Sequence, residues 1–204
     1  GMDALTQLLE SLVSLRSNPF TDALALSGLK RGLSHLLPWY EGDSGSASQM
    51  AYASLLSGVC LAQTGLGSVH GLAQPLGSFF PIPHGVVCGT LLASATRVNV
   101  ETMRQREATN PALPKYAMVG RMLPGASALS DSEAIDRLIE TFEDWTLRLS
   151  IPDLTQLGVH SQDTPNIIRH ARGSSMKTNP ILLTDDEINR ILNDRLGPTS
   201  GNLQ

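Results

Sequence analysis

A chain of 204 residues with 41% hydrophobic content is long enough to bury one substantial core, or at most two smaller ones. A formal net charge of -4 with no cluster of Lys and Arg excludes a surface built for nucleic acid or for acidic membranes. No uninterrupted apolar run reaches spanning length, and the N-terminus lacks a basic stretch ahead of an apolar one. The expected setting is therefore soluble and cytoplasmic.

In chain order, residues 3–16 place Leu5, Leu8, Leu9, Leu12 and Val13 on one helical stripe, and Asn18-Pro19 ends that helix and starts another. The second helix carries Phe20, Leu24, Leu26, Leu29 and Leu33 and is expected to stop near Pro38. EGDSGSAS, residues 41–48, is a polar loop. An apolar helix rich in Ala, Ser and Gly follows over 49–62, and the same small-residue helical run leads to His70 at its end. After Pro81 and Pro83, His84 opens a helix reaching about Arg106, apolar first and polar by NVETMRQRE.

Asn110-Pro111 and Pro114 mark a break before a short helix over 115–123. Ser130 is an N-cap for 131–149, with Glu133 placed to complete a capping box. IPDLTQLGV is a connector, and Thr184 and Glu187 open a last helix over 185–196. The tail, 197–204, is expected to fray. No period-2 alternation requires a sheet and no internal repeat is present, so the fold class is all-α, a multi-helix bundle.

The stretch GLGSVHGLAQPLGSFFPIPHG, residues 65–85, sets His70 and His84 on either side of a turn shaped by glycine and proline. Imidazole is the commonest side-chain metal ligand, and the turn folds two helices back so that both rings can face one point. Asp3, with Gln7 one turn later on the same face, supplies a candidate third ligand. A carboxylate with two imidazoles suits Zn(II) or Fe(II) and leaves positions open for water or a substrate oxygen. Outside such a context a histidine is more often a hydrogen-bonded core or surface residue, and His35, His160 and His170 are read that way. Asp3 alone reads equally well as a charge at a helix N-terminus. Cys60 and Cys88, in apolar helical surroundings and outside any CxxC pair, read as buried thiols.

Three segments carry a resemblance: GMDALTQLLESLVSLRSNPFTDALALSGL, VHGLAQPLGSFFPIPHGVVCGTLL and SMKTNPILLTDDEINRIL. They resemble the helical, metal-binding C-terminal domain of the iron-containing (group III) alcohol dehydrogenases, in the dehydroquinate synthase-like superfamily. The resemblance covers nearly the whole chain, making 1–204 a single helical metal-binding domain from which the family's N-terminal dinucleotide-binding domain is absent. It implies metal positions at Asp3, Gln7, His70 and His84, with Gln7 standing where the family has histidine. A family histidine near the nicotinamide is here Gln74, which can orient a substrate and cannot relay its proton.

The implied chemistry is NAD(P)-linked interconversion of alcohols and aldehydes, with the metal half in these residues and the hydride half outside them. Expected partners are a small alcohol or aldehyde, the nucleotide-binding domain in cis or trans, and a second copy in a homodimer, without nucleic acid or membrane. The competing expectation is a non-catalytic helical module that binds metal or another protein and has no affinity for nucleotide.

Overall fold

A computed structural model describes residues 1–197, and most of the tail expected to fray lies outside the described residues. Among them are nine α-helices and no strand, as the all-α reading requires.

The first helix, α1 (Met2–Val13), is the axis of the molecule. Leu5, Leu8, Leu9 and Leu12 are at most 1% exposed, and each such side chain contributes about 1.5–3 kcal/mol on leaving water. Thr6, Glu10 and Ser11 are buried as well, so α1 is enclosed rather than one-sided. It packs on α2 (Pro19–Tyr40), α3 (Ala47–Thr64) and α5 (His84–Arg106). Close approach to α2 depends on glycine: a Cβ at Gly28 would meet Leu8 at 2.8 Å, and one at Gly32 would meet Leu5 at 2.5 Å. With no basic residue in the last turn of α1, Lys115 serves instead. Its Nζ donates to the Leu12 carbonyl at 2.9 Å and to Asp22 near the start of α2 at 2.7 Å, placing a cation where the helix dipole is negative.

Asn18 and Thr21 form a capping box at the start of α2, which passes through Pro38 and ends two residues later. Proline loses its own N–H and crowds the carbonyl one turn back, but the residues after it can still bond, as the Glu41 N–H does to the Leu37 carbonyl at 2.9 Å. The loop expected over 41–48 contains a short 3-10 turn, Ser44–Ser46, before α3 begins.

The small-residue run does not continue unbroken to His70. Gly65 closes α3 with φ +65, a left-handed conformation that glycine adopts without strain, and α4 (Ser68–Phe79) begins three residues later. His70 therefore sits in the first turn of a new helix, not at the end of an old one. The next helix, α5, has the expected bounds.

α6 (Ala112–Gly120) begins earlier than expected, with Asn110 Oδ1, just ahead of its N-cap Pro111, accepting from the first helical amide, the Ala112 N–H, at 2.9 Å. α7 (Asp131–Arg148) carries the expected capping box of Ser130 and Glu133. α8 (Thr164–His170) has no counterpart among the expected elements, since seven residues hold too few turns for a periodic signal. α9 (Asp185–Asn193) has the expected Thr184 and Glu187 box and ends three residues short of the expected bound. The apolar faces of these helices join one continuous core.

Candidate metal centre

Three helices bring their ends together beside the start of α1. Asp3 comes from its first turn, His70 from the first turn of α4, and His84 is the first residue of α5, with Cys88 one turn further on. His70 Nε2 lies 3.2 Å from Asp3 Oδ1, and His84 Nε2 lies 3.6 Å from the same oxygen. Cys88 Sγ is 3.7 Å from His70 Nε2 and 3.6 Å from His84 Nε2. One donor atom from each of the four falls within 4.8 Å of all the others. Such convergence of a carboxylate oxygen, two imidazole nitrogens and a sulfur fits a borderline divalent ion.

A buried acid stands behind His70. Glu10 Oε2 is 2.6 Å from His70 Nδ1, and Glu10 Oε1 accepts from the Val69 N–H at 2.7 Å. This carboxylate thus satisfies one orphan amide of α4, lies at the helix's positive end, and fixes the imidazole. A carboxylate on the far nitrogen orients a ligating histidine and raises its basicity. Burial alone would lower the His70 pKa, but hydrogen bonds to Asp3, Cys88 and Glu10 outweigh it, pushing the value up to about 12. Burial likewise opposes ionisation of Asp3, yet its bonds to His70 and Cys88 hold the carboxyl below its usual range.

The loop ahead of α4 is clamped by the tail motif. Asn179 Oδ1 accepts from the Ser68 N–H at 3.0 Å, while Asn179 Nδ2 donates to Asn99 Oδ1 and to the Ile181 carbonyl, each at 2.8 Å. Thr178 Oγ1 donates to the Leu66 carbonyl at 2.6 Å. Nothing larger than glycine fits at Gly67, where a Cβ would stand 2.9 Å from both Asn179 Oδ1 and Glu10 Oε1. SMKTNPILL is thus what seats the His70 helix.

Gln7 faces the same side as Asp3, with both ends of its amide engaged. Its Nε2 donates to Asp3 Oδ2 at 3.2 Å and its Oε1 accepts from Ser57 at 2.8 Å. Gln74 is exposed one turn beyond His70 on α4. His160 and His170 lie on the surface, and half-buried His35 bonds Ser46 at 2.9 Å, all away from the cluster. Phe79 meets the His170 ring edge-on at 5.2 Å, a packing contact. Cys60 is a buried free thiol facing the Thr21 carbonyl.

Sequence reasoning missed Glu10 and the place of Cys88 in the cluster. Glu10 follows Asp3 by seven residues and Cys88 follows His84 by four, so both shared a helical face with a residue already singled out. A cavity of about 640 Å³ opens beside Asp3, lined by Trp39, Tyr40, Gly85 and Ile151 among others; neither clustered histidine lines it.

Fold and cluster define a class, an all-helical domain with a carboxylate and imidazole metal-type site where helix ends meet. Residues 1–196 match the model of the Fe-containing alcohol dehydrogenase family, C-terminal, and the chain belongs to that family as its C-terminal domain. The NADPH-dependent butanol dehydrogenase of Clostridium saccharobutylicum is 32% identical over 94% of this chain and 48% of that protein. Alcohol dehydrogenase 4 of Schizosaccharomyces pombe is 34% identical over 94% of this chain and 43% of its own length. A solved 1,3-propanediol oxidoreductase superposes with a TM-score of 0.86 at 28% identity, over 96% of this chain and 50% of that one. The chain spans about half the length of the curated relatives it matches. Among the described residues, no helix is long and apolar enough to cross a membrane.

Proposed function

We propose that residues 1–204 are the metal-carrying domain of an NAD(P)-linked alcohol dehydrogenase, with Asp3, His70 and His84 holding Fe(II) or Zn(II). The observation that carries this reading is the meeting of Asp3 Oδ1 with both Nε2 atoms while Glu10 occupies the far nitrogen of His70. When bound, the ion supplies Lewis-acid polarisation of an alcohol or carbonyl oxygen.

The chain's own residues do the positioning. Glu10 holds a proton on His70 Nδ1, which leaves Nε2, on the cluster side, as the nitrogen that would serve a metal once its own proton is displaced. Gln7 holds Asp3 Oδ2 and leaves Oδ1 facing the histidines. Gln74 orients a substrate by hydrogen bonding and transfers no proton, so the proton path runs through water or another group. The hydride acceptor sits on a nucleotide-binding domain supplied in cis or trans, and the substrate is a small alcohol or aldehyde, as the names of the relatives suggest.

Elemental analysis of the purified chain after incubation with Fe(II) or Zn(II) tests the site. Near-stoichiometric metal, lost in His84→Ala, is the expected result; a metal-free wild-type chain would sink the reading. Adding the nucleotide-binding domain tests the activity. NAD(P)-linked turnover is expected, and its absence across a broad alcohol panel with metal bound would leave only the second reading, a metal-binding module without catalysis. The exposed amide at Gln74, with no proton to exchange near neutral pH, favours that alternative.

A further inference from the structure

We propose that Cys88 is a metal donor in its own right, completing with Asp3, His70 and His84 a four-donor set selective for a thiophilic divalent ion, Zn(II) above Fe(II). This rests on the metal-centre reading above and adds to it the sulfur and the selectivity; with four protein donors in place, a substrate oxygen would enter as a fifth ligand.

Geometry carries the case. Bond lengths of about 2.3 Å to sulfur and about 2.0–2.2 Å to nitrogen and oxygen give a tetrahedron whose edges are about 3.4–3.6 Å. Four of the six edges match: 3.6 and 3.7 Å from Cys88 Sγ to the two imidazoles, and 3.2 and 3.6 Å from Asp3 Oδ1 to the same atoms; the other two, imidazole to imidazole and sulfur to carboxylate, are within 4.8 Å and close further around an ion. Cys88 and His84 share one face of α5 at i and i+4, so the helix itself presents sulfur and nitrogen to the same point. Cys88 is fully buried, so this sulfur has the cluster, and not bulk solvent, in front of it.

Gln7 leaves the fourth place to Cys88. An amide ligates through oxygen, and the oxygen of Gln7 accepts a 2.8 Å hydrogen bond from Ser57 while its nitrogen steadies Asp3. A thiolate also changes what the site selects. Oxygen donors suit hard cations, whereas sulfur beside imidazole favours zinc, and two anionic donors neutralise a divalent charge in a half-buried place. On binding, the thiol loses its proton to the buffer as the sulfur–metal bond forms, and no electron changes hands.

Cobalt(II) replaces zinc as a spectroscopic probe. The metal-free chain titrated with Co(II) is expected to develop a near-ultraviolet thiolate-to-cobalt charge-transfer band at one equivalent, together with the visible absorption of a four-coordinate ion. Cys60→Ser keeps the band. Cys88→Ser still takes up Co(II) but loses the band, and binds zinc at least roughly tenfold more weakly, the lower end of what losing even an outer partner of a ligand costs. Stoichiometric uptake by the wild type without a charge-transfer band overturns the role of Cys88 and leaves the metal centre standing. No uptake of either ion by the wild type overturns the metal-centre reading and the sulfur with it. The band is read on the unaltered chain, so a poorly folding Cys88→Ser does not decide the matter.

Discussion

His70 and His84 reach the same oxygen from opposite walls, and the walls are built differently. His70 is 8% exposed, braced on its far nitrogen by Glu10, on a helix whose first amides are held by Asn179 and Glu10. His84 has a side chain 54% exposed and follows the Pro81-Ile82-Pro83 turn. The lesson concerns preorganisation: one imidazole is set in place by the core, and the other stands at the solvent-exposed rim.

The sharpest way to break this contrast is Glu10→Ala. It leaves His70 and the Val69 amide buried without their partner, and about 3–5 kcal/mol of stability is expected to go. Urea unfolding of the metal-free chain measures it, and metal affinity should fall roughly 10–100-fold in parallel. A loss well under 1 kcal/mol would mean that the His70 wall is not held as described.

Next in size is Asn179→Ala, which strands the Ser68 amide and the Asn99 side-chain oxygen, for a loss of about 2–3 kcal/mol. Because the damage reaches the seat of α4, metal affinity should fall as well, although Asn179 touches none of the donors. Intact affinity would show that His70 does not depend on the clamp.

His84→Ala sharpens the comparison from the other side. At an exposed position it should shift the stability of the metal-free chain by no more than about 0.5 kcal/mol while abolishing metal uptake. A destabilisation as large as that of Glu10→Ala would erase the distinction between the walls.

The smallest expected effect is remote from both walls and serves as their reference. Hydrogen bonds from the Ser130 side chain and backbone hold the Glu133 carboxyl below its ordinary value of 4.5. A lowered value means that its contribution is present above about pH 4.5 and fades as pH falls through the lower folded value. Thermal melts of Glu133→Gln should therefore run closest to wild type at the acid end and diverge slightly toward neutral pH, with metal binding unchanged.

Much of the fold was legible because local chemistry decides it. Capping residues at Ser130 and Thr184 and the proline-led turn before His84 announce helix starts by themselves. The candidate donors Asp3, His70 and His84 were legible through spacing and resemblance. What escaped depends on contacts distant in sequence. Glu10, between leucines of the first helix, carries no local signal of its role, because its partner His70 lies sixty residues away. The break at Gly65 was hidden in a run of small residues, and its meaning lies in Thr178 and Asn179, more than a hundred residues on. Cys88 resembled any buried thiol, because a cysteine's role depends on what its sulfur faces.

The enclosure of α1 has a kinetic side. A helix wrapped by α2, α3 and α5 can open only when its neighbours part, so its amides beyond the first turn should exchange with deuterium only through the rarest, most global openings. Glu10 thus rides on what is expected to be the slowest-exchanging segment, and an ion arriving at the site would leave its mark chiefly on the amides at the starts of α1 and α5, where there is still protection to gain.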